Sequence, residues 1–288
     1  MNIILQCPVC RNPLLLSADG FQCSKNHSFD ASREGYVNLL LAHKKHSREP
    51  GDSKEMIQSR RRFLDRGHYT GVSEGINDAA AAALSAPRAE PAVHILDAGC
   101  GEGFYLKRLK DSLASLPAPQ AVAVLYGMDI SKFAVQLAAR RDRTVNWFVA
   151  SVNELPIADS SLDLVLNVFS PVIVSEFDRV LKEQGTLVIA SPGPTHLHSL
   201  RKLIYPEARE HKPSSAVEET GKILSLSAQT RITYSLELQD RETILDLLAM
   251  TPYVWTIDRA AKATVESLDR LQLDVDVEIR TFRKRATG

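Results

Sequence analysis

The stretch from Val93 to Gly103 leaves the chain few ways to fold. Val93-His94-Ile95-Leu96 is apolar enough for a strand buried on both faces, and Asp97 closes it. Gly99, Gly101 and Gly103 then alternate with other residues before an amphipathic run from Phe104 to about Leu116. Glycines let the backbone turn sharply and approach a ligand where a Cβ would clash. The helix that follows points its unpaired N–H groups back at the turn. A glycine-rich turn also serves purely structural ends, but the spacing here is G-x-G-x-G with an acidic residue before it. That departs from the G-x-G-x-x-G fingerprint of dinucleotide sites.

Beyond this turn, apolar strand-like runs alternate with helical ones, which predicts a parallel α/β sheet covered on both faces. Ala121–Met128 reads as a second strand ended by Asp129, Ser131 caps a helix to about Arg140, and Val145–Ala150 reads as a third strand. A fourth strand follows Ser160-Ser161 and leads to Asn167-Val168-Phe169-Ser170-Pro171. Leu187–Ala190 is a fifth, and the turn-rich Ser191–Leu197 after it has the composition of a lid. Alternating residues in 231–238 and 271–282 predict two closing antiparallel strands. Ligands of such sheets collect at the carboxyl ends of the strands, where Asp97 and Asp129 both fall. Asp129 suits a ribose, because two carboxylate oxygens can accept from vicinal hydroxyls.

The amino-terminal end carries a different signal. Cys7-Pro8-Val9-Cys10 is followed by twelve residues, then Cys23, three residues and His27. Two such knuckles make a tetrahedron of three thiolates and one imidazole, a donor set that suits Zn2+ and leaves no position for water. A structural zinc is expected, since a segment of about 40 residues buries too little apolar area to fold alone. Cys100, in the glycine turn, reads as a small buried residue. Asp52 or Ser53 can cap a helix from Lys54 to about Arg66, and an alanine-rich helix spans about Gly71 to Ser85. The expected organisation is a zinc ribbon over 1–40, a basic helical connector over 41–90 and a cofactor domain over 91–288.

Composition bounds the function. The chain has 288 residues, 44% hydrophobic and 24% charged, as in a globular protein. No apolar run approaches the roughly 18 residues of a membrane span. Met1–Cys7 lacks the charged start and apolar core of a secretory signal, so a reducing, cytoplasmic compartment is expected. Net charge is zero, but residues 1–70 hold eleven Lys/Arg against seven Asp/Glu. The excess sits in His43-Lys44-Lys45-His46-Ser47-Arg48 and Arg60-Arg61-Arg62, a patch that either faces a polyanion or is a solvated helix face.

The acidic strand end with G-x-G-x-G resembles motif I of class I S-adenosylmethionine-dependent methyltransferases. Taken with Cys7/Cys10/Cys23/His27, Arg33–Leu40, Pro50-Gly51-Asp52-Ser53, Arg66-Gly67-His68-Tyr69 and Pro192–Leu197, the chain resembles the bacterial 23S rRNA guanine-N1 methyltransferases over nearly its whole length. The resemblance implies a Rossmann-like seven-stranded class I methyltransferase domain behind a small zinc ribbon. It implies methylation of N1 of a guanine in a 23S rRNA hairpin loop, at guanine 745 or guanine 748, by a homodimer. Cofactor contacts implied for S-adenosylmethionine are Tyr69, Asp97, Gly99, Gly101, Glu102, Gly103, Phe104, Asp129, Ser151 and His196. Many relatives carry Asp where Ser151 stands here.

Guanine N1 carries a proton at neutral pH, so a group must accept it as attack proceeds. Candidates near the methyl are Asn167, Ser170, Glu176 and His196, with water as the alternative. The basic helix and the ribbon are expected to dock RNA. Two other readings stay open at this level: a small-molecule methyltransferase with a structural zinc ribbon, and a non-catalytic RNA-binding adaptor.

Overall fold

A computed structural model describes residues 4–44, 47, 50–86, 90–115, 122–205, 207, 211 and 214–285. The ribbon is a three-stranded antiparallel sheet of β1 (Leu14–Leu16), β2 (Gly20–Cys23) and β3 (Ser28–Asp30). After it come β4 (Tyr36–Asn38), α1 (Lys54–Asp65) and α2 (Thr70–Leu84). The alternating unit then runs β5 (Ala92–Ala98), α3 (Phe104–Ala114), β6 (Val122–Asp129), α4 (Lys132–Arg141), β7 (Asn146–Val149), β8 (Leu162–Val168), α5 (Val174–Val180) and β9 (Leu181–Pro192). It closes with α6 (His198–Ile204), α7 (Ser215–Ile223), β10 (Ser225–Leu238), α8 (Arg241–Ala249), α9 (Arg259–Glu266) and β11 (Leu271–Arg283).

Local sequence explains the element ends. The hydroxyls of Ser53 and Ser131 accept from the N–H groups of Met56 and Ala134, capping α1 and α4 as expected. The predicted ends at Leu116 and Ala121 lie outside the described residues, as do Lys45, His46 and Arg48 of the basic stretch.

The main sheet has the order β10-β11-β9-β8-β5-β6-β7-β4. Seven of its strands, β5 to β11, are those expected from the sequence. The eighth is β4, which pairs parallel to β7 through Tyr36–Trp147, Val37–Phe148 and Asn38–Val149. Three residues are too short for a periodic signal, so this strand was legible only from its partner. β10 and β11 pair antiparallel over their whole length, and β11 continues onto β9.

Both faces are covered, as parallel strands require. In β5, Val93 and Ile95 enter one apolar cluster with Phe63, Val72, Ile76 and Leu106. Leu96 and Ala98 enter the other, with Phe148, Phe177 and the apolar residues of the ribbon. Helices α1 and α2 therefore belong to a covering layer of the main sheet. The ribbon is fastened to the opposite face near the segment after β7: Gln6 N–H donates to Pro156 O at 2.9 Å, and Ala158 N–H donates to Ile4 O at 2.7 Å. Glu154 in that segment takes Arg11 at 3.2 Å and also pairs with Lys44.

Candidate cofactor turn and zinc site

The glycine turn is shaped by what lies against it. Gly99 has φ +85°, and a Cβ there would overlap the Ser170 side chain. Gly103 has φ +84°, and a Cβ would meet the Trp147 ring at 2.8 Å. Trp147 is fixed beneath the turn by donating to Asp142 O at 2.7 Å. The predicted helix after the turn begins at Phe104 with Gly103 as its left-handed cap.

Asp97 and Asp129 meet at this turn and differ in how their charge is held. Asp129 accepts from Gly101 N–H at 2.9 Å and Ser131 N–H at 2.8 Å. Each of its oxygens keeps a lone pair for a hydroxyl. Asp97 is 1% exposed, and neither of its oxygens has a hydrogen-bond partner. Burial, reinforced by the nearby Asp129 charge, pushes its carboxyl up to about 7. An orphaned buried carboxylate of this kind is costly unless a cationic donor arrives to pair it. The ammonium group of S-adenosylmethionine is such a donor, so the residues present fit that cofactor.

Tyr69 and His196, far apart in sequence, are brought together with their side chains buried. Asp276 N–H donates to His196 Nδ1 at 3.2 Å, which puts the ring proton on Nε2. Nε2 lies 3.2 Å from the Tyr69 hydroxyl and donates to it. Burial holds the imidazole down to about 3, so it stays neutral. The Asp276 carboxylate accepts from Thr195 N–H and Oγ1 at 2.8 Å and from Arg231 at 2.7 and 2.8 Å. The segment read as a lid is in fact a wall: Gly193 N–H and Leu197 N–H donate to Asp276 O and Asp274 O, at 2.8 and 2.9 Å. Its turn-rich composition serves a tight path along β11.

The proton-acceptor candidates fare differently. His196 has its lone pair committed to a backbone N–H. Glu176 is held by Arg179 at 2.7 and 2.9 Å and accepts from Leu155 N–H at 2.7 Å, bracing the loop after β7. Asn167 donates to Ala98 O at 3.3 Å and Pro171 O at 3.1 Å, and its Oδ1 has no partner. An amide is not a base at neutral pH, but this oxygen can accept. Ser170 lies over Gly99.

Two residues expected at the cofactor have side chains packed within the protein. The Glu102 carboxylate is 1% exposed and paired with Arg141, which also takes Asp65 of α1 at 2.8 Å. Arg141 engages Oε2, while Oε1 is buried without a partner. The Phe104 ring is buried against Tyr105, at 5.2 Å and 87°. Ser151 stands at the end of β7, where its Oγ accepts from Asn153 N–H at 3.2 Å. The arginine triplet is not an open cationic face. Arg60 pairs with Asp52 at 2.7 Å, Arg61 with Asp65 at 3.6 Å, and Arg62 grips the buried Asp246 with contacts of 2.5 and 2.9 Å. A run of three cations gave no sign of these partners, because two of the carboxylates lie far from it or outside its helix.

Cys7, Cys10, Cys23 and His27 converge, with all ligand atoms within 4.8 Å of one another. Cys10 Sγ and Cys23 Sγ are 3.7 Å apart, and His27 Nδ1 is 3.5 Å from Cys7 Sγ and 3.4 Å from Cys23 Sγ. The edges of a tetrahedron around Zn2+ with ordinary Zn–S and Zn–N bonds are about 3.8 and 3.5 Å. The four atoms fit zinc through Nδ1 of the histidine, and they leave no vacancy.

Comparison with known proteins agrees with this geometry. Residues 5–48 match the family model described as RlmA, N-terminal, and residues 89–240 match one described as a methyltransferase domain. The 23S rRNA (guanine(748)-N(1))-methyltransferase of Streptomyces fradiae is 32% identical over 258 residues, covering 88% of this chain and 86% of the relative. The Bacillus subtilis protein named "Putative 23S rRNA (guanine-N(1)-)-methyltransferase YxjB" is 31% identical over 281 residues, 96% of this chain and 95% of the relative. Among solved structures, the YcgJ protein of Bacillus subtilis aligns with a TM-score of 0.46 at 15% identity, over 73% of this chain and 99% of its own. With ribbon and methyltransferase domain matched in that order, and relatives above 30% identity along most of both chains, this chain belongs to the 23S rRNA (guanine-N1) methyltransferase family.

Proposed function

We propose that this protein methylates N1 of a guanine in a hairpin loop of 23S rRNA, with S-adenosylmethionine as donor and one structural zinc. The observation that carries the reading is the orphaned Asp97 carboxylate beneath a glycine turn, in a chain that also holds a four-ligand zinc site. Of the relatives named above, the one whose name carries a position carries 748. That supports guanine 748 over guanine 745. Mass mapping of 23S rRNA from a deletion strain tests both the reaction and the position; loss of methyl from any other base would overturn the reading.

When bound, S-adenosylmethionine supplies an electrophilic methyl carbon. Asp97 would hold its ammonium group, and Asp129 the ribose hydroxyls. The glycine turn and the backbone of Glu102 would lie along the methionine part, and Ser151 would edge the adenine. Tyr69 accepts from His196, so its own hydroxyl proton is left to donate to a ligand acceptor such as a carboxylate. Asn167 Oδ1 is the acceptor available to an N–H of the target base.

The role of the chain's residues in the transfer is mainly positioning, which is worth up to roughly 7–11 kcal/mol of barrier. A neutral His196 without a free lone pair does not take the N1 proton; in this reading water takes it. We assign the ribbon within residues 1–40 to RNA contact; β4 and the helices of 41–90, which roof the cofactor turn, join the sheet and its covering layer and so belong with residues 91–288 to the methyltransferase domain. We assign a homodimer acting in the cytoplasm. Among the described residues no helix is long and apolar enough to cross a membrane.

A further inference from the structure

Phe169 is anomalous on three counts. It follows β8 with φ +51°, a left-handed conformation that aromatic side chains rarely take. The residue is 40% exposed, although the two aromatic residues whose rings lie on the wall behind it, Tyr69 and His196, are 2% and 5% exposed. Its ring lies nearly parallel to the His196 ring, with centroids 5.9 Å apart and planes at 24°. Tyr69 and Tyr105 flank it at 6.2 and 6.5 Å.

The strained backbone is held from several sides. Phe169 N–H donates to Ala190 O at 3.0 Å. Asn167 Nδ2 ties down Pro171 O at 3.1 Å, and Ser170 fills the space over Gly99. Strain of this sort persists where surrounding structure over-determines it, and it marks functional positions. Packing against three rings accounts for it only in part, since Phe169 remains 40% exposed.

From these observations we infer that Phe169 is the stacking platform for the target guanine, a role that rests on the function proposed above. An extruded base needs a flat apolar face beside the cofactor turn, backed by something rigid. His196 backs the ring, and its neutral state avoids placing a charge under the base. The sheet order separates this platform from the adenine end of the cofactor. Phe169 follows β8 and Ser151 follows β7, with β5 and β6 between them. At about 4.8 Å per strand, the two ends are roughly 14 Å apart, so Phe169 does not serve the adenine. Stacking reads any base face, so the choice of guanine falls to edge contacts, for which Asn167 Oδ1 is available.

The test measures full-length protein binding to the 23S rRNA hairpin with either the target guanine or an abasic site at that position, in the presence of S-adenosylhomocysteine. Phe169→Ala should weaken binding of the guanine hairpin by roughly tenfold to a hundredfold, and leave the abasic hairpin unaffected. Phe169→Trp should retain guanine binding, and Phe169→Leu should not. Cofactor affinity, read by calorimetry, should change less than threefold in each variant. Equal weakening of both hairpins, or parallel loss of cofactor binding, would overturn the inference. Failure of the wild-type enzyme to methylate guanine N1 would instead overturn the function it rests on.

Discussion

Asp97→Asn should make the protein more stable and less able to bind its cofactor. The side chain is 1% exposed, and both oxygens lack partners. Its carboxyl is raised from an ordinary 3.8 to about 7. At 1.36 kcal/mol for each factor of ten in proton affinity, that difference corresponds to about 4 kcal/mol. The sign follows from linkage. Between pH 4 and 7 the folded state keeps a proton that the unfolded state has released, so stability falls as pH rises through this window. Above pH 7 the full penalty is present; below 3.8 it is gone.

Asparagine removes the charge but leaves a buried amide without partners, which costs about 1–3 kcal/mol. The net gain at pH 8 is therefore about 1–3 kcal/mol, and it should disappear or reverse at pH 5. Urea denaturation of the cofactor-free protein at both pH values measures it. In the same variant, loss of a charge-assisted bond to the methionine ammonium should weaken S-adenosylmethionine by about 10- to 150-fold in calorimetry, from roughly 1.5–3 kcal/mol. If Asp97→Asn is no more stable than wild type at pH 8, or if its cofactor affinity is unchanged, the account of this carboxylate is wrong.

Three further outcomes follow from other contacts. Arg62→Ala strands the buried Asp246 carboxylate and should lower stability by about 2 kcal/mol in denaturant melts; a change within 0.5 kcal/mol would mean that the pair contributes little. The His196 ring resonances should stay constant from pH 5 to 9 in NMR, because the imidazole titrates at about 3; a midpoint near 6.5 would show a ring open to water. Freshly purified protein should hold one zinc per chain, and chelation should open residues 4–35 to protease while cofactor affinity is largely kept; an intact ribbon after zinc loss would refute the metal's structural role.

Much of this molecule is written locally. The caps at Ser53 and Ser131, the acidic strand ends at Asp97 and Asp129, and the glycine spacing depend on neighbours a few residues away. The zinc ligands are legible for the same reason, since two knuckles need only a hairpin between them. Tertiary structure decided which of these residues are free to act. Tyr69 and His196 are 127 residues apart, and His196 and Asp276 are 80 apart. They meet because β11 lies antiparallel beside β9 and draws the segment after it into a buried wall. Arg62 likewise looked like a cation for RNA until α8 placed Asp246 against it, 184 residues away. Period and spacing report which face of an element is apolar. They do not report which strand or helix becomes its neighbour, and that neighbour determines whether a polar group is paired, orphaned or left open to a ligand.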